Sequence, residues 1–103
     1  MFMSKIQALA ETEIQNRMKN HASWRRIGAQ GAAIERTWEL PSFKAAIAFV
    51  GAIAVEADRM DHHPDILVKY NKVTLTLSTH DANGLSARDF LFAEFCDKLV
   101  PPL

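Results

Sequence analysis

Apolar residues recur along the chain with two periods, about 3.6 and about 2, and the switches between them predict its elements. Within Ala10 to Asn20, Ile14 and Met18 stand one helical turn apart among polar residues. This spacing predicts a short amphipathic helix, with Thr12 placed to act as N-cap. Trp24 to Gly28 and Ile34 to Leu40 read as short strands, and Ala29, Gln30 and Gly31 between them suit a hairpin with a glycine-containing loop. Ile34, Arg36, Trp38 and Leu40 share one face of the second strand, so its alternation is imperfect.

Pro41-Ser42 ends that strand and starts a helix, with Ser42 as cap and Phe43, Ala46, Ile47, Val50, Ala54, Ala57 and Met60 at helical spacing. Ala45, Ala48, Phe49, Ala52 and Val55 form a second apolar stripe beside the first. A helix lying on a sheet and wet on its other side needs one stripe of about 100°. The surplus stripe predicts burial against another helix, such as one from a second subunit.

From Ile66 to Thr79 the period returns to two. Val73, Leu75 and Leu77 face one way and Thr74, Thr76 and Ser78 the other, whereas Ile66, Val68 and Tyr70 occupy even positions. The apolar parity therefore flips across Asn71 and Lys72, which one regular strand cannot do without exposing half its apolar side chains. A bulge or a tight turn at Asn71 repairs it. Asp81 to Gly84 reads as a turn. A last helix follows from Ser86, with Ser86 and Asp89 spaced as a capping box and Leu85 and Phe90 as a hydrophobic staple. Leu91, Phe92, Phe95, Cys96 and Leu99 are expected on its buried face, and Pro101-Pro102 ends it. The order helix, two strands, helix, two strands, helix predicts an α+β fold: a small four-stranded antiparallel sheet with three helices packed on one face. No repeat or linker interrupts it, so residues 1–103 are expected to form one domain.

Composition narrows the function. Twelve basic against 12 acidic residues give zero formal charge, without the basic excess that phosphate-backbone binding requires. Nucleic acid is therefore not an expected partner. The lone Cys96 excludes an intramolecular disulfide framework and a thiolate zinc cage. Met1 to Ala10 lacks an apolar core of signal-peptide length, and the longest apolar run, Ala45 to Val55, falls short of the about 20 residues a membrane span needs. No membrane association and a cytoplasmic location are expected.

Three of the four histidines lie in two segments, Asp61-His62-His63-Pro64 and Ser78-Thr79-His80-Asp81, at the end of the central helix and of the last strand. Folding the sheet against the helices can bring both to one rim, and element ends on a rigid scaffold are where binding groups gather. An isolated histidine at a helix C-terminus is commonly a dipole partner. An adjacent pair, a fixing proline and a third histidine among Ser, Thr and Asp fit that account poorly. Imidazole, with an ordinary pKa of about 6.5, gives or takes a proton near neutral pH. Two of them across a pocket can serve as acid and base in one cycle. Asp61, Asp81 or Asp89 is placed to orient a ring nitrogen. Zinc is the competing chemistry, but adjacent His62 and His63 project divergently and no His-x-x-x-His pair supports a site, so no metal is expected. Gly28, Gly31, Gly51 and Gly84 match no nucleotide-binding fingerprint. His21, in a polar stretch, is expected to be solvated. Trp24 and Trp38 suit the core, with Trp24, at a strand start, the better candidate for a pocket wall.

The string Asp61-His62-His63-Pro64, then Tyr70-Asn71-Lys72-Val73, Leu77-Ser78-Thr79-His80 and Gly84-Leu85-Ser86 with Asp89 resembles the pterin-4a-carbinolamine dehydratases. Trp24, Phe43 and the helix leading to Met60 also fit, so the resemblance covers nearly all of the chain after residue 10. It implies dehydration of 4a-hydroxytetrahydropterin, the product of aromatic amino-acid hydroxylases, to quinonoid dihydropterin, without a cofactor. It further implies that His62, His63 and His80 are active-site histidines and that Ser78 to Asp81 contact the pterin. Asp58 and Asp89 fall on the motif's acidic positions, with Asp58 standing where the family more often has glutamate. Asp89 is expected in the catalytic set with the three histidines, and Asp61 and Pro64, with Trp24 as a pocket wall, are expected to contact substrate; the surplus stripe on the central helix predicts a homodimer or homotetramer, and the resemblance implies coupling to a hydroxylase. Animal members also serve as dimerisation cofactors of a homeodomain transcription factor, which is the non-enzymatic alternative.

Overall fold

The computed structural model describes residues 6–99. Its elements run α1 (Glu11–Met18), β1 (Arg25–Ile27), β2 (Ala33–Glu39), α2 (Phe43–Met60), β3 (Asp65–Lys69), β4 (Lys72–Leu77) and α3 (Ala87–Leu99). The strands form one antiparallel sheet in the order β1-β2-β4-β3. The expected α+β order is present, and the helices cover one face. Pro101-Pro102 lies outside the described residues.

Register explains which face is covered. Ile34 pairs with Leu77, Arg36 with Leu75 and Trp38 with Val73, while Ile66 and Val68 of β3 continue the last two rows. Ile34, Trp38, Val73, Leu75 and Leu77 are buried, as are Ala46, Phe49, Ile53 and Ala57 of α2 and Phe90, Phe92, Ala93 and Cys96 of α3. Each fully buried large side chain contributes about 1.5–3 kcal/mol. The parity flip is a two-residue turn: Tyr70, in a left-handed conformation (φ 53°), and Asn71 join β3 to β4. Asn71 also receives the Leu40 N–H on its backbone oxygen (2.8 Å) and donates its side-chain amide to the Leu40 carbonyl (2.8 Å), tying the turn to the end of β2. In the β1–β2 connection Gly31 has φ 65°, and a Cβ there would lie 2.8 Å from Nε of Arg26. The positive φ favours glycine, and a larger residue would also have to displace the Arg26 guanidinium.

The structure corrects several expectations. Thr12 lies inside α1, whose N-cap is Ala10, with no side-chain cap. Leu91 is exposed (57%), because α3 turns Asp89, Phe90, Phe92, Ala93 and Cys96 inward instead. On α2 the buried row takes Ala46 and Ala57 from the first expected stripe, Phe49 from the second and Ile53 from neither, so Phe43, Ile47 and Val55 remain exposed. The Ser42 cap is present, its hydroxyl accepting from the Ala45 N–H at 3.0 Å.

Arg36, the misfit of the β2 row, is answered from α3. Its Nη1 donates to Oδ1 of Asp97 at 2.6 Å while the guanidinium lies 4.6 Å from the centre of the Trp38 ring. Asp97 also accepts from Nε1 of Trp24 (2.7 Å) and meets Nδ1 of His21 (3.1 Å). His21 is therefore half-buried and paired, and the expectation of a solvated ring is corrected. Among the described residues no helix is long and apolar enough to cross a membrane.

Cys96 packs fully inside, and burial, reinforced by the Asp97 charge, pushes its thiol up to about 12. The folded state thus keeps a proton that an unfolded thiol loses above its ordinary pKa of about 8.5. Its contribution to stability is complete below that pH and is lost as pH rises toward about 12. A disulfide reagent added at about pH 8 should label Cys96 at least about 100-fold more slowly in the native protein than in urea, since thiolate is the nucleophile. Prompt stoichiometric labelling of native protein would contradict this burial.

Candidate functional site

The end of α2 sets the position of the first histidine pair. Asp61, just after the helix, takes a left-handed conformation (φ 51°, ψ 46°) and its N–H turns back to the Ala57 and Asp58 carbonyls. The His62 N–H donates to the Ala57 carbonyl at 3.0 Å, completing a reversal that closes many helices, here with aspartate at the position usually held by glycine. Pro64 follows, and its ring biases His63 toward extended backbone, so the chain leaves straight into β3. The third histidine comes from the end of β4. There a Thr79–Gly84 bridge closes the loop, with the Thr79 N–H 2.9 Å from the Gly84 carbonyl, and His80 begins a single turn of tight helix.

These segments converge. His62, His63, His80, Asp61, Ser78, Thr79 and Asp81 line one open depression of about 190 Å³, together with Ile6 and Arg88. That volume is below the about 300–1,000 Å³ of enclosed small-molecule pockets. Pro64 lies beside the depression without lining it. Trp24 is elsewhere: it is buried, bonded to Asp97, and set edge-on to Trp38 with 5.6 Å between ring centres. Ile6 and Arg88 are the lining residues the sequence reading missed, and only Arg88 carried a signal. The available signal was a cation in the first turn of a helix, where the helix dipole disfavours it.

Asp89 holds the site together. It is fully buried in the first turn of α3, at the positive end of the helix dipole. Its Oδ1 meets Nε2 of His62 at 2.7 Å; its Oδ2 accepts from the Thr79 hydroxyl at 2.8 Å and from the Ser86 N–H at 2.9 Å. The last contact is one half of the expected capping box. Thr79 has a single hydroxyl hydrogen and gives it to Asp89, so in its 2.5 Å contact with Ser86 the serine hydroxyl donates. Ser86 Oγ in turn accepts from the Arg88 N–H at 3.2 Å. Every bond at Asp89 is thus accepted by its carboxylate, which assigns a ring hydrogen of His62 to Nε2. Of the three candidate carboxylates, the geometry selects Asp89 as the one that orients a ring.

His63 is held more loosely. Its Nε2 lies 3.0 Å from Oδ1 of Asp58, and both side chains are exposed, so the shorter aspartate still reaches the ring. Surface pairs of this kind contribute little to stability, about 0–1 kcal/mol. His80 is exposed at the mouth.

Replacing Asp89 by alanine strands the His62 ring N–H, the Thr79 hydroxyl and the Ser86 amide together. Urea unfolding should show a loss of about 3 kcal/mol or more. Nitrogen-15 spectra of the wild-type protein should show a hydrogen on Nε2 of His62, and Asp89→Asn should raise the Nδ1-bound form. A wild-type ring protonated at Nδ1 alone would refute the assignment.

Comparison with known proteins places this geometry. The family model for pterin 4 alpha carbinolamine dehydratase matches residues 7–99. A relative from Roseiflexus castenholzii, provisionally named pterin-4-alpha-carbinolamine dehydratase, is 46% identical over 92 residues, covering 89% of this chain and 96% of that one. A Rhodospirillum rubrum relative of the same provisional name is 38% identical over 92 residues, covering 89% and 95%. Among solved structures, a transcriptional coactivator/pterin dehydratase from Brucella melitensis superposes with a TM-score of 0.86 at 28% identity, covering 92% of this chain and 100% of that one. A pterin dehydratase-like protein described as a RuBisCO assembly factor in the alpha-carboxysome superposes with a TM-score of 0.64 at 25% identity, covering 77% and 90%. With its histidine segments at the ends of α2 and β4 and this match over almost its whole length, the chain belongs to the pterin 4 alpha carbinolamine dehydratase family.

Proposed function

We propose that the protein dehydrates pterin-4a-carbinolamine to quinonoid dihydropterin by histidine general acid and base catalysis, in the cytoplasm and without a cofactor. The observation that carries this reading is the convergence of His62, His63 and His80 on one depression, with His62 fixed by the buried Asp89. The reaction transfers one proton to the C4a hydroxyl, which leaves as water, and removes one from N5 as the C4a–N5 double bond forms. Two imidazoles suffice for it, one giving and one taking a proton.

In this reading His62 exchanges its proton at Nδ1 while Asp89 holds the other side of the ring. Asp89 is then a positioning residue. His80, on the far segment, supplies the second proton-transfer group. His63, paired with Asp58 at the rim, contacts the substrate or serves the opposite face of its ring. Asp61, Ser78 and Asp81 offer oxygen acceptors and a hydroxyl around the mouth for the pterin's amino and ring N–H groups, while Thr79, whose hydroxyl is taken up by Asp89 and Ser86, contributes to the wall beneath them. Pro64 contributes by fixing the backbone beside His63. Such an enzyme would recycle the product of an aromatic amino-acid hydroxylase.

Self-association belongs to the same reading. Phe43 (52% exposed), Ile47 (46%) and Val55 (71%) form an apolar side of α2 that the other described residues leave uncovered. We assign this side to a homodimer or homotetramer contact. It also supports the second reading, a binding module, for which the coactivator and assembly-factor descriptions of the two solved relatives are the precedent.

Purified protein should accelerate carbinolamine dehydration over buffer across neutral pH, and His62→Ala and His80→Ala should each lose about 10²–10⁴-fold in kcat. A wild-type rate equal to that of buffer would leave the binding-module reading in its place. Light scattering should give the mass of a dimer or tetramer, and Ile47→Glu with Val55→Glu should shift it to monomer by placing charge in an apolar contact. A wild-type monomer at all concentrations would remove the self-association.

A further inference from the structure

Arg88 stands second in α3, where its charge opposes the helix's own dipole and gains nothing from it. Its guanidinium reaches instead to the end of α2. The chain reversal there uses the Asp61 and His62 N–H groups to satisfy the Ala57 and Asp58 carbonyls. The Met60 and Asp61 carbonyls remain, at the negative end of the α2 dipole, and Nη2 of Arg88 donates to both, at 3.1 Å in the case of Asp61. The arrangement holds a backbone that is costly by itself. A left-handed non-glycine residue such as Asp61 is strained and persists where its surroundings enforce it.

We infer that Arg88 is a positioning residue for the histidine pair: by gripping the Met60 and Asp61 carbonyls it fixes the direction in which the chain leaves α2, and so aims His62 and His63 at the depression. The residues on either side of it act on the same target. Ser86 and Asp89 hold the Thr79 hydroxyl and the His62 ring, while Arg88 holds the backbone from which that ring hangs. One turn of α3 therefore fixes His62 at both its ring and its main chain. Small misplacements matter to proton transfer, since an error of about 1 Å can cost about 100-fold in rate.

The catalytic part of this inference rests on the dehydratase reading; the structural part does not. Arg88→Met keeps the aliphatic stem and removes the donors, and Arg88→Lys keeps the charge but loses the planar fork. Hydrogen exchange needs no substrate: in Arg88→Met the His62 amide should exchange at least about tenfold faster while β4 amides keep their wild-type protection. In the dehydration assay kcat should fall about tenfold or more with KM changed less than about threefold. Arg88→Lys should lie between, and millimolar guanidinium ion should restore part of the Arg88→Met rate. Unchanged His62 exchange in both variants overturns the proposal. So does a raised KM with kcat intact, which would make Arg88 a substrate-binding group. If the wild-type protein proves not to dehydrate carbinolamine, the exchange result still decides whether Arg88 holds the end of α2.

Discussion

A carboxylate with no exposed surface must be compensated on the spot, and the arrangement around Asp89 follows from that requirement. Removing such a charge from water costs several kcal/mol unless good hydrogen bonds and a favourable field replace the lost hydration. Three donors and the positive end of α3 supply the replacement: the His62 ring, the Thr79 hydroxyl and the Ser86 amide. Each comes from a different part of the chain. Meeting the needs of one carboxylate therefore brings the end of α2, the end of β4 and the start of α3 to a single point. The three histidines stand at that point because their segments supply the partners.

The same constraint separates the roles of the three rings. His62 is buried against Asp89 and its tautomer is set by that contact, so it is a rigid, directed group. His63 and His80 sit at the surface, in water, with only an exposed Asp58 near the former. For the proposed dehydration, one fixed imidazole and others free to turn would divide the giving and taking of protons between them. Arg88 adds the backbone half of the fixation. Its unfavourable place on its own helix is the cost of reaching the carbonyls of another.

Asp97 repeats the principle at the other end of α3. It gathers Arg36 from the sheet's covered face, Trp24 from the start of β1 and His21 from the loop after α1. The periodicity of β2 showed Arg36 as a misfit without showing its partner, because the partner lies 61 residues away in the chain. For the same reason the solvated reading of His21 failed. Polarity of near neighbours does not reveal a carboxylate brought in by tertiary packing. Leu91 failed in a related way: its register on α3 admits two inward arcs, and burial of Asp89 selected the one containing the polar residue.

Local chemistry in the sequence determined the order of elements, the Ser42 cap, the turn at Asn71 and the capping box at Ser86, since each depends on residues a few positions apart. It also singled out the three histidines and their flanking acids, because two clusters at element ends are visible in one dimension. The tertiary structure alone decided that Asp89 orients His62, that Trp24 belongs to the Asp97 cluster and not to the depression, that Arg88 lines the site, and which side of α2 stays uncovered. These are choices among partners far apart in the chain. They are settled by the cost of leaving a buried charge or donor unpaired, and that cost exists only once the elements have packed.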